Sequence, residues 1–327
     1  MKIMVSACLL GQKCKYNGGD NLCQKVIDFT AEHEVIPVCP EVAGGLSVPR
    51  PPCEMVNGRI VNTDGEDRSR EFRDGAEKCL ALAQKHPIDL AILQSRSPSC
   101  GVKQIYDGTF SRRLINGSGV FASLLSENGF RVIDAEEMTG NDNIRLINIS
   151  QLSVRYHVRS LNYSDIPEIL ALCSKNPLYY RHCPPFVTEQ SILDDMKALP
   201  PDKEYSDKYY IGYFDGEKLI AVMDLIMAYP DHNRCLIGFF MTDVSLQNAG
   251  VGSSIIHELF AYLKSIGLSG IRLGWVDSNP QAKHFWQKNG FKETGMTYET
   301  DHYTVTVAER LLISPQENES VKERRGM

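Results

Sequence analysis

The chain has 327 residues, 43% of them hydrophobic and 23% charged, with a formal net charge of -6. That length favours two domains over one, and the balance excludes a disordered, collagen-like or coiled-coil chain. No apolar run approaches the roughly 18–20 residues that cross a bilayer, and the start, Met1 to Cys8, lacks the apolar stretch of a secretory signal. A cytoplasmic protein without a membrane partner is expected. Residues 1–150 carry 17 basic against 19 acidic side chains, so no electrostatic footprint for a long nucleic acid exists, while a small ligand or a short RNA loop stays open.

In chain order, residues 1–7 and 34–39 read as buried strands, with Leu22, Val26 and Phe29 on one helical face between them. A long loop, 40–66, is rich in Gly and Pro and reads as a binding loop. Phe72, Ala76, Cys79, Leu80 and Ala83 mark a second helical face before a strand at 89–94, and a helix at 119–128 precedes a strand at 130–134. Strands alternating with helices predict an α/β domain with an open, mostly parallel sheet.

Around 141–151 the pattern turns polar. A strand is expected at 152–159, helices at 164–174 and 188–198, and strands at 209–214, 219–228 and 236–244. A helix at 250–264, a strand at 271–276, a helix at 280–288 and two closing strands complete a second, α+β domain with a central mixed sheet. The expected domains are 1–145 and 146–313, and the charged tail 314–327 is expected to be disordered.

Seven of the ten cysteines lie in the first 100 residues. In a reducing compartment such enrichment points to metal binding or catalysis rather than disulfides. Cys8, Cys39 and Cys100 each fall at or just after the end of a predicted parallel strand, where open α/β sheets line their ligand crevice. Converging thiolates select zinc, copper(I) or an iron–sulfur cluster, and three ligands leave one position for substrate. Glu41 stands two residues beyond Cys39 as a candidate base. Ser97 and Ser99 precede Cys100, and Lys15, Tyr16 and Arg50 occupy adjacent loops. Cys79 reads as a core residue on its helix face, and Cys23 as a packing residue at a helix start. Cys14 and Cys53 are loop thiols, either of which would close the site as a fourth ligand.

The ordered series Ser6-Ala7-Cys8-Leu9-Leu10-Gly11, Lys15-Tyr16-Asn17-Gly18, Cys39-Pro40-Glu41, Gly75-Ala76, Ser97-Pro98-Ser99-Cys100-Gly101 and Tyr106-Asp107-Gly108 resembles the thiouracil desulfidase family over about residues 1–137. The resemblance implies a 4Fe-4S cluster on Cys8, Cys39 and Cys100, an acid/base carboxylate at Glu41 and a catalytic serine at Ser97. It implies removal of sulfur from a thiolated uracil-type base: the thiocarbonyl sulfur binds the open iron, water adds to the C–S carbon with help from Glu41, and hydrosulfide is released. Free thiobases, nucleosides and short thiolated RNA all remain open as substrates. Lys15, Asn17, Ser69 and Gln94 stand where the family usually has Arg, Asp, Thr and Lys, which bears on substrate identity more than on cluster binding.

In the second half, Gln247 to Ser253 follows a strand and opens a helix carrying Val251, Ile255, Leu259 and Tyr262 on one face. Glycines there admit a pyrophosphate to free amides at a helix N-terminus. With the strand ending at Asp277-Ser278-Asn279 and the later Gly290-Phe291, the succession resembles the GNAT superfamily of acetyltransferases over about 152–312. That resemblance implies acetyl-CoA as cosubstrate, with pyrophosphate on the amides of Asn248, Ala249, Gly250, Val251, Gly252 and Ser253. Pantetheine would pair along Phe240, Met241 and Thr242, with Asn279 beyond, and an amine of undefined identity would accept the acetyl group. Trp286 stands where many members have the Tyr that protonates the leaving thiolate, so Tyr303 or a water is the expected substitute. Asp224 and Asp243 read as structural acceptors before bases. The rival reading of the whole chain is an acetyltransferase, or an acyl-CoA-binding sensor, with a structural or sensory zinc or iron–sulfur module in front.

Overall fold

A computed structural model describes residues 1–138 and 146–313; the seam 139–145 and the expected tail 314–327 lie outside the described residues. Two units divide them, 1–138 with 162–164, and 146–161 with 165–313. Among the described residues no helix is long and apolar enough to cross a membrane.

The first unit runs β1 (Lys2–Ser6), α1 (Gln24–Thr30), β2 (Glu34–Val38), α2 (Pro40–Ala43), β3 (Cys53–Val56), β4 (Arg59–Asn62), α3 (Ser69–Lys85), β5 (Leu90–Leu93), β6 (Gln104–Tyr106), β7 (Leu114–Asn116), α4 (Val120–Glu127) and β8 (Val132–Asp134). Its main sheet has the order β2-β1-β5-β8, and every pairing in it is parallel. All four residues of β5 are buried, as a strand covered on both faces requires. Met4, Ala91 and Leu93 pack against Ala76, Cys79 and Ala83 of α3 and Phe121 and Leu125 of α4, so the predicted helical face is the one that closes the core. The chain leaves β1 for β2 on one side and reaches β5 on the other. That reversal of winding is where open α/β sheets form their crevice.

The long loop 40–66 proves to be structured. Its first residues form α2, and β3 pairs β4 through a two-residue turn, Asn57-Gly58, with both residues at positive φ, the conformation that closes a tight hairpin. Only the stretch between α2 and β3 is irregular. A second hairpin, β6–β7, follows β5.

α2 touches α3 backbone to backbone. A Cβ on Gly75 would fall 1.9 Å from the Pro40 carbonyl oxygen, and one on Gly44 would fall 1.9 Å from that of Glu71. The helix pair can approach this closely only where both side chains are hydrogen.

The second unit runs β9 (His157–Ser160), α5 (Ile166–Cys173), α6 (Pro177–His182), α7 (Glu189–Lys197), β10 (Lys208–Asp215), β11 (Lys218–Met227), β12 (Arg234–Thr242), α8 (Val251–Ser265), β13 (Gly270–Val276), α9 (Pro280–Lys288), β14 (Lys292–Glu299) and β15 (Thr304–Leu311). The strand expected at 152–159 starts later, because the Ser153 hydroxyl accepts from the amides of Arg155 and Tyr156 and turns the chain first. The helix α6 lacked a periodic signal. Sheet order is β14-β15-β13-β12-β11-β10-β9, with β12–β13 its parallel pair. That pair holds register from Arg234↔Gly270 to Ile237↔Leu273; both strands then continue without pairing each other, and the gap between them becomes a cleft. A bulge at the start of this separation skips Gly238, over which the Asp224 carboxylate sits; a Cβ there would meet Asp224 Oδ2 at 2.7 Å.

Replacing Gly75 by Ala is expected to cost the first unit ~1–3 kcal/mol through overpacking, read as a lower urea midpoint. A midpoint equal to the parent's would mean that α2 and α3 part at no cost.

Candidate functional site

Three strand ends of the first unit carry the predicted thiols. Cys8 lies in a 3₁₀ turn directly after β1, closed by the Gly11 amide donating to the Cys8 carbonyl at 3.2 Å. Cys39 is the N-cap residue of α2, directly after β2. Cys100 ends the turn that follows β5. There the Ser97 hydroxyl oxygen accepts from the amides of Ser99 and Cys100, both at 3.1 Å, so Ser97 orients the Cys100 backbone. The turn is backed by Gly119, where a Cβ would lie 2.5 Å from the Ser99 carbonyl.

Cys14 joins this group. Its carbonyl accepts from the Cys39 thiol at 3.8 Å, and its thiol is near enough to those of Cys8 and Cys39 to affect their protonation. Around Cys8, the Asn21 amide donates to its sulfur at 3.9 Å, and the thiol faces Gln94 Oε1 at 4.0 Å. Cys100 is buried beside the Ser6 hydroxyl. The fully buried Ser99 hydroxyl has no partner but the Cys100 sulfur.

Glu41, in the first turn of α2, is fixed by Arg50. Nε and Nη2 of Arg50 both donate to Glu41 Oε2, at 2.8 and 2.5 Å, leaving Oε1 outside the pair. The same guanidinium donates to the carbonyls of Ser47 and Cys14, each at 3.1 Å, and its side chain is 5% exposed. Arg50 thus braces the carboxylate against the Cys14 loop. Lys15 donates to Asn21 Oδ1 at 2.9 Å and lies over the Tyr16 ring.

Electrostatics explain what this set of donors can hold. Burial pushes the Cys100 thiol up to about 12, with smaller contributions from Glu41 and Cys39. Cys39 is pushed far up, first by its contact with Cys14 and then by burial. Cys14 is raised as well: the Cys39 contact favours its thiolate, but Cys8 and burial outweigh it. Thiols so placed cannot ionise together without a cationic centre. Among the described residues no three Cys, His, Asp or Glu side chains converge on one ion, whereas an iron–sulfur cluster bonds each cysteine to a different iron. All-sulfur donors at three adjacent strand ends, with a buried hydroxyl lacking another acceptor, fit such a group. Cys53 stands apart: burial raises it to about 11, and its charged neighbours are Glu41, Arg50, Arg68 and Glu71.

In the second unit the separated strands open a cleft of about 940 Å³. Phe240, Met241, Thr242, Asn248, Gly250, Gly252, Ser253 and Asn279 line it, while Ala249 and Val251 do not. Asn248 and Gly250 have positive φ, and α8 starts at Gly250 without a side-chain cap, so its first amides are left for a ligand. Lys175 and Lys288 line the cleft, with Arg272, which is paired to Glu309 at 2.6 Å, and among the described residues no carboxylate lines it; the two lysines give a sign that suits a phosphate-bearing ligand. Asn279 Oδ1 accepts from the Ala282 amide at 3.0 Å, which commits that oxygen to capping α9.

Trp286 is buried in an aromatic group with Phe240, Phe285 and Phe291. Tyr303 lines the cleft and is raised to about 12, first by its bond to Cys183 and then by burial. Asp243 accepts from Ser245 and pairs with Lys218 at 2.9 Å, and the Lys218 bond leads in holding it at about 2. Asp224 pairs with Lys208 at 2.7 Å inside the unit, and burial pushes it up to about 6. Sequence reasoning missed the Glu41–Arg50 brace, the place of Cys14 and the Tyr303–Cys183 contact. The last two depend on chain segments far apart in sequence, and the first on the path of the loop between α2 and β3.

Residues 3–137 match the family model described as 2-thiouracil desulfurase, and residues 176–291 match that of the acetyltransferase (GNAT) family. The uncharacterised protein YbbK of Bacillus subtilis strain 168 is 41% identical over 146 residues, which are 42% of this chain and 97% of that protein. The structure of the 4Fe-4S-dependent thiouracil desulfidase TudS is 39% identical, with a TM-score of 0.40, over 42% of this chain and 93% of its own. An acetyltransferase from Thermus thermophilus is 19% identical, with a TM-score of 0.40, over 48% of this chain and 97% of its own. Through its first unit the chain belongs to the 2-thiouracil desulfurase family, and a GNAT acetyltransferase domain follows.

Proposed function

We propose that the first unit is an iron–sulfur-dependent desulfidase that replaces the thiocarbonyl sulfur of a uracil-type base or nucleoside by oxygen. The reading rests on the braced Glu41 carboxylate standing beside strand-end thiols. Cys8, Cys39 and Cys100 would hold a 4Fe-4S cluster, which when bound supplies a soft Lewis acid for sulfur. Arg50 keeps Glu41 Oε2 occupied and turns Oε1 toward a water proton. Glu41 takes that proton as water oxygen adds to the C–S carbon; the C–S bond then breaks, and hydrosulfide leaves with no change in electron count. Ser97 acts here as a positioning residue, holding the amide of Cys100. Ten free thiols suit a reducing cytoplasm.

The second unit is proposed to transfer acetyl from acetyl-CoA to an amine. The unblocked amides of α8 would take the pyrophosphate, and the unpaired end of β12 the pantetheine arm. The amine nitrogen attacks the thioester carbonyl, the bond to sulfur breaks, and the leaving thiolate takes a proton. Tyr303, protonated at neutral pH and facing the cleft, is the donor this arrangement supports; Trp286 carries no suitable acid.

After anaerobic reconstitution, uracil and hydrosulfide formation from 2-thiouracil is expected to fall about 10²–10⁴-fold in Glu41→Gln, the range for a lost general base, with iron content unchanged. Full activity in that variant would remove Glu41 from the chemistry. Cys100→Ser is expected to lose iron itself.

For the second unit, Tyr303→Phe should lower kcat for a panel of primary amines about a hundredfold while leaving KM for acetyl-CoA unchanged. Trp286→Phe should stay within a few-fold of the parent. The reverse ranking would return the acid role to position 286.

A further inference from the structure

We propose that Cys14 is a fourth, exchangeable thiolate for the iron–sulfur centre, closing the substrate position at rest and yielding it to the substrate's sulfur. The inference rests on the cluster reading above. Two loop thiols were candidates for this place in the sequence, and they differ in what they touch. The Cys14 carbonyl lies 3.8 Å from the Cys39 sulfur, and its thiol is near enough to those of Cys8 and Cys39 to bear on its protonation, whereas the Cys53 thiol donates to the Pro51 carbonyl at 3.7 Å on its own loop.

The segment that carries Cys14 is held at both ends. Gln12 donates to the Ala7 carbonyl at 3.1 Å, the Cys14 amide to Gln12 at 2.8 Å and the Lys15 amide to Gly19 at 3.1 Å. Arg50 anchors it too, through the Cys14 carbonyl, and Arg50 also holds Glu41. The Cys14 carbonyl and the Glu41 carboxylate therefore share one cation, and movement of the Cys14 segment is felt at Glu41 through that guanidinium. Exchange is a ligand substitution: the Cys14 sulfur gives up its bond to iron as the incoming sulfur takes it. No electron moves, and the freed thiolate takes a proton from water. A competing internal thiolate lowers apparent substrate affinity by the fraction of time that it leaves the position open.

The parent chain, Cys14→Ala, Cys14→Ser and Cys53→Ala are reconstituted anaerobically and assayed for iron and sulfide, with far-UV circular dichroism to confirm folding. Each is titrated with 2-thiouracil by visible absorption, then oxidised with ferricyanide while the three-iron electron paramagnetic resonance signal is followed. Both Cys14 variants are expected to take up as much iron as the parent and to bind 2-thiouracil about tenfold more tightly, for a position open a tenth of the time. They should also lose one iron several times faster, while Cys53→Ala behaves as the parent. Cys14 variants matching the parent in titration and in iron loss would overturn the inference alone. A parent chain that takes up no cluster would overturn the cluster reading, and this inference with it.

Discussion

Gly44 and Gly75 let two backbones touch, and the position of the thiol site follows from that contact. With α2 seated against α3, the residue that caps α2, Cys39, is fixed over the end of β2, and Glu41 is fixed two residues on, in the first turn. Because β2, β1 and β5 are adjacent and parallel, their carboxyl ends lie side by side, about one strand spacing apart. The residues just past those ends are therefore neighbours despite the 92 positions between Cys8 and Cys100. A larger residue at position 75 would tilt α2 and carry both Cys39 and Glu41 with it.

The second unit makes its cleft by a different device. There the parallel pair β12–β13 stops pairing at Ile237 and Leu273, so backbone groups of β12 that would have been spent inside the sheet are left at a wall. The bulge at Gly238 begins this divergence, and it works because Gly238 yields space to the Asp224 carboxylate. That carboxylate is tied to Lys208 inside the unit. A buried pair of this kind contributes little net stability but is costly to break on one side, so Asp224 reads as part of the frame that keeps the bulge.

What could be read in the sequence was what the hydrophobic pattern writes directly. The strands at the centre of each sheet are short apolar runs, and α3 shows its buried face at helical spacing, so both were legible. The hairpin β3–β4 was not. Its Asn57-Gly58 turn is a strong signal, yet it lies in a stretch so rich in Gly and Pro that the flanking strands lacked clear alternation. The β9 start was misplaced because a side-chain oxygen, Ser153 Oγ, supplied the hydrogen bonds that a strand would have taken. The thiols were legible by position, since strand ends converge, but spacing alone did not distinguish Cys14 from Cys53. That difference arises from a loop returning over β1 and from Arg50, which reaches across to it.

The first site is short of positive charge. Its buried guanidinium, Arg50, is committed to Glu41 and to the carbonyls of Ser47 and Cys14. Left alone, the Cys14, Cys39 and Cys100 thiols stay protonated, as their raised values indicate. Thiolate ligands must lose their protons to bind a metal, so a cationic centre bound here would release protons and be held less tightly as the pH falls. The donor set therefore suits a group that brings positive charge and accepts sulfur, while Arg50 holds one oxygen of Glu41, Oε2, and leaves Oε1 outside the pair.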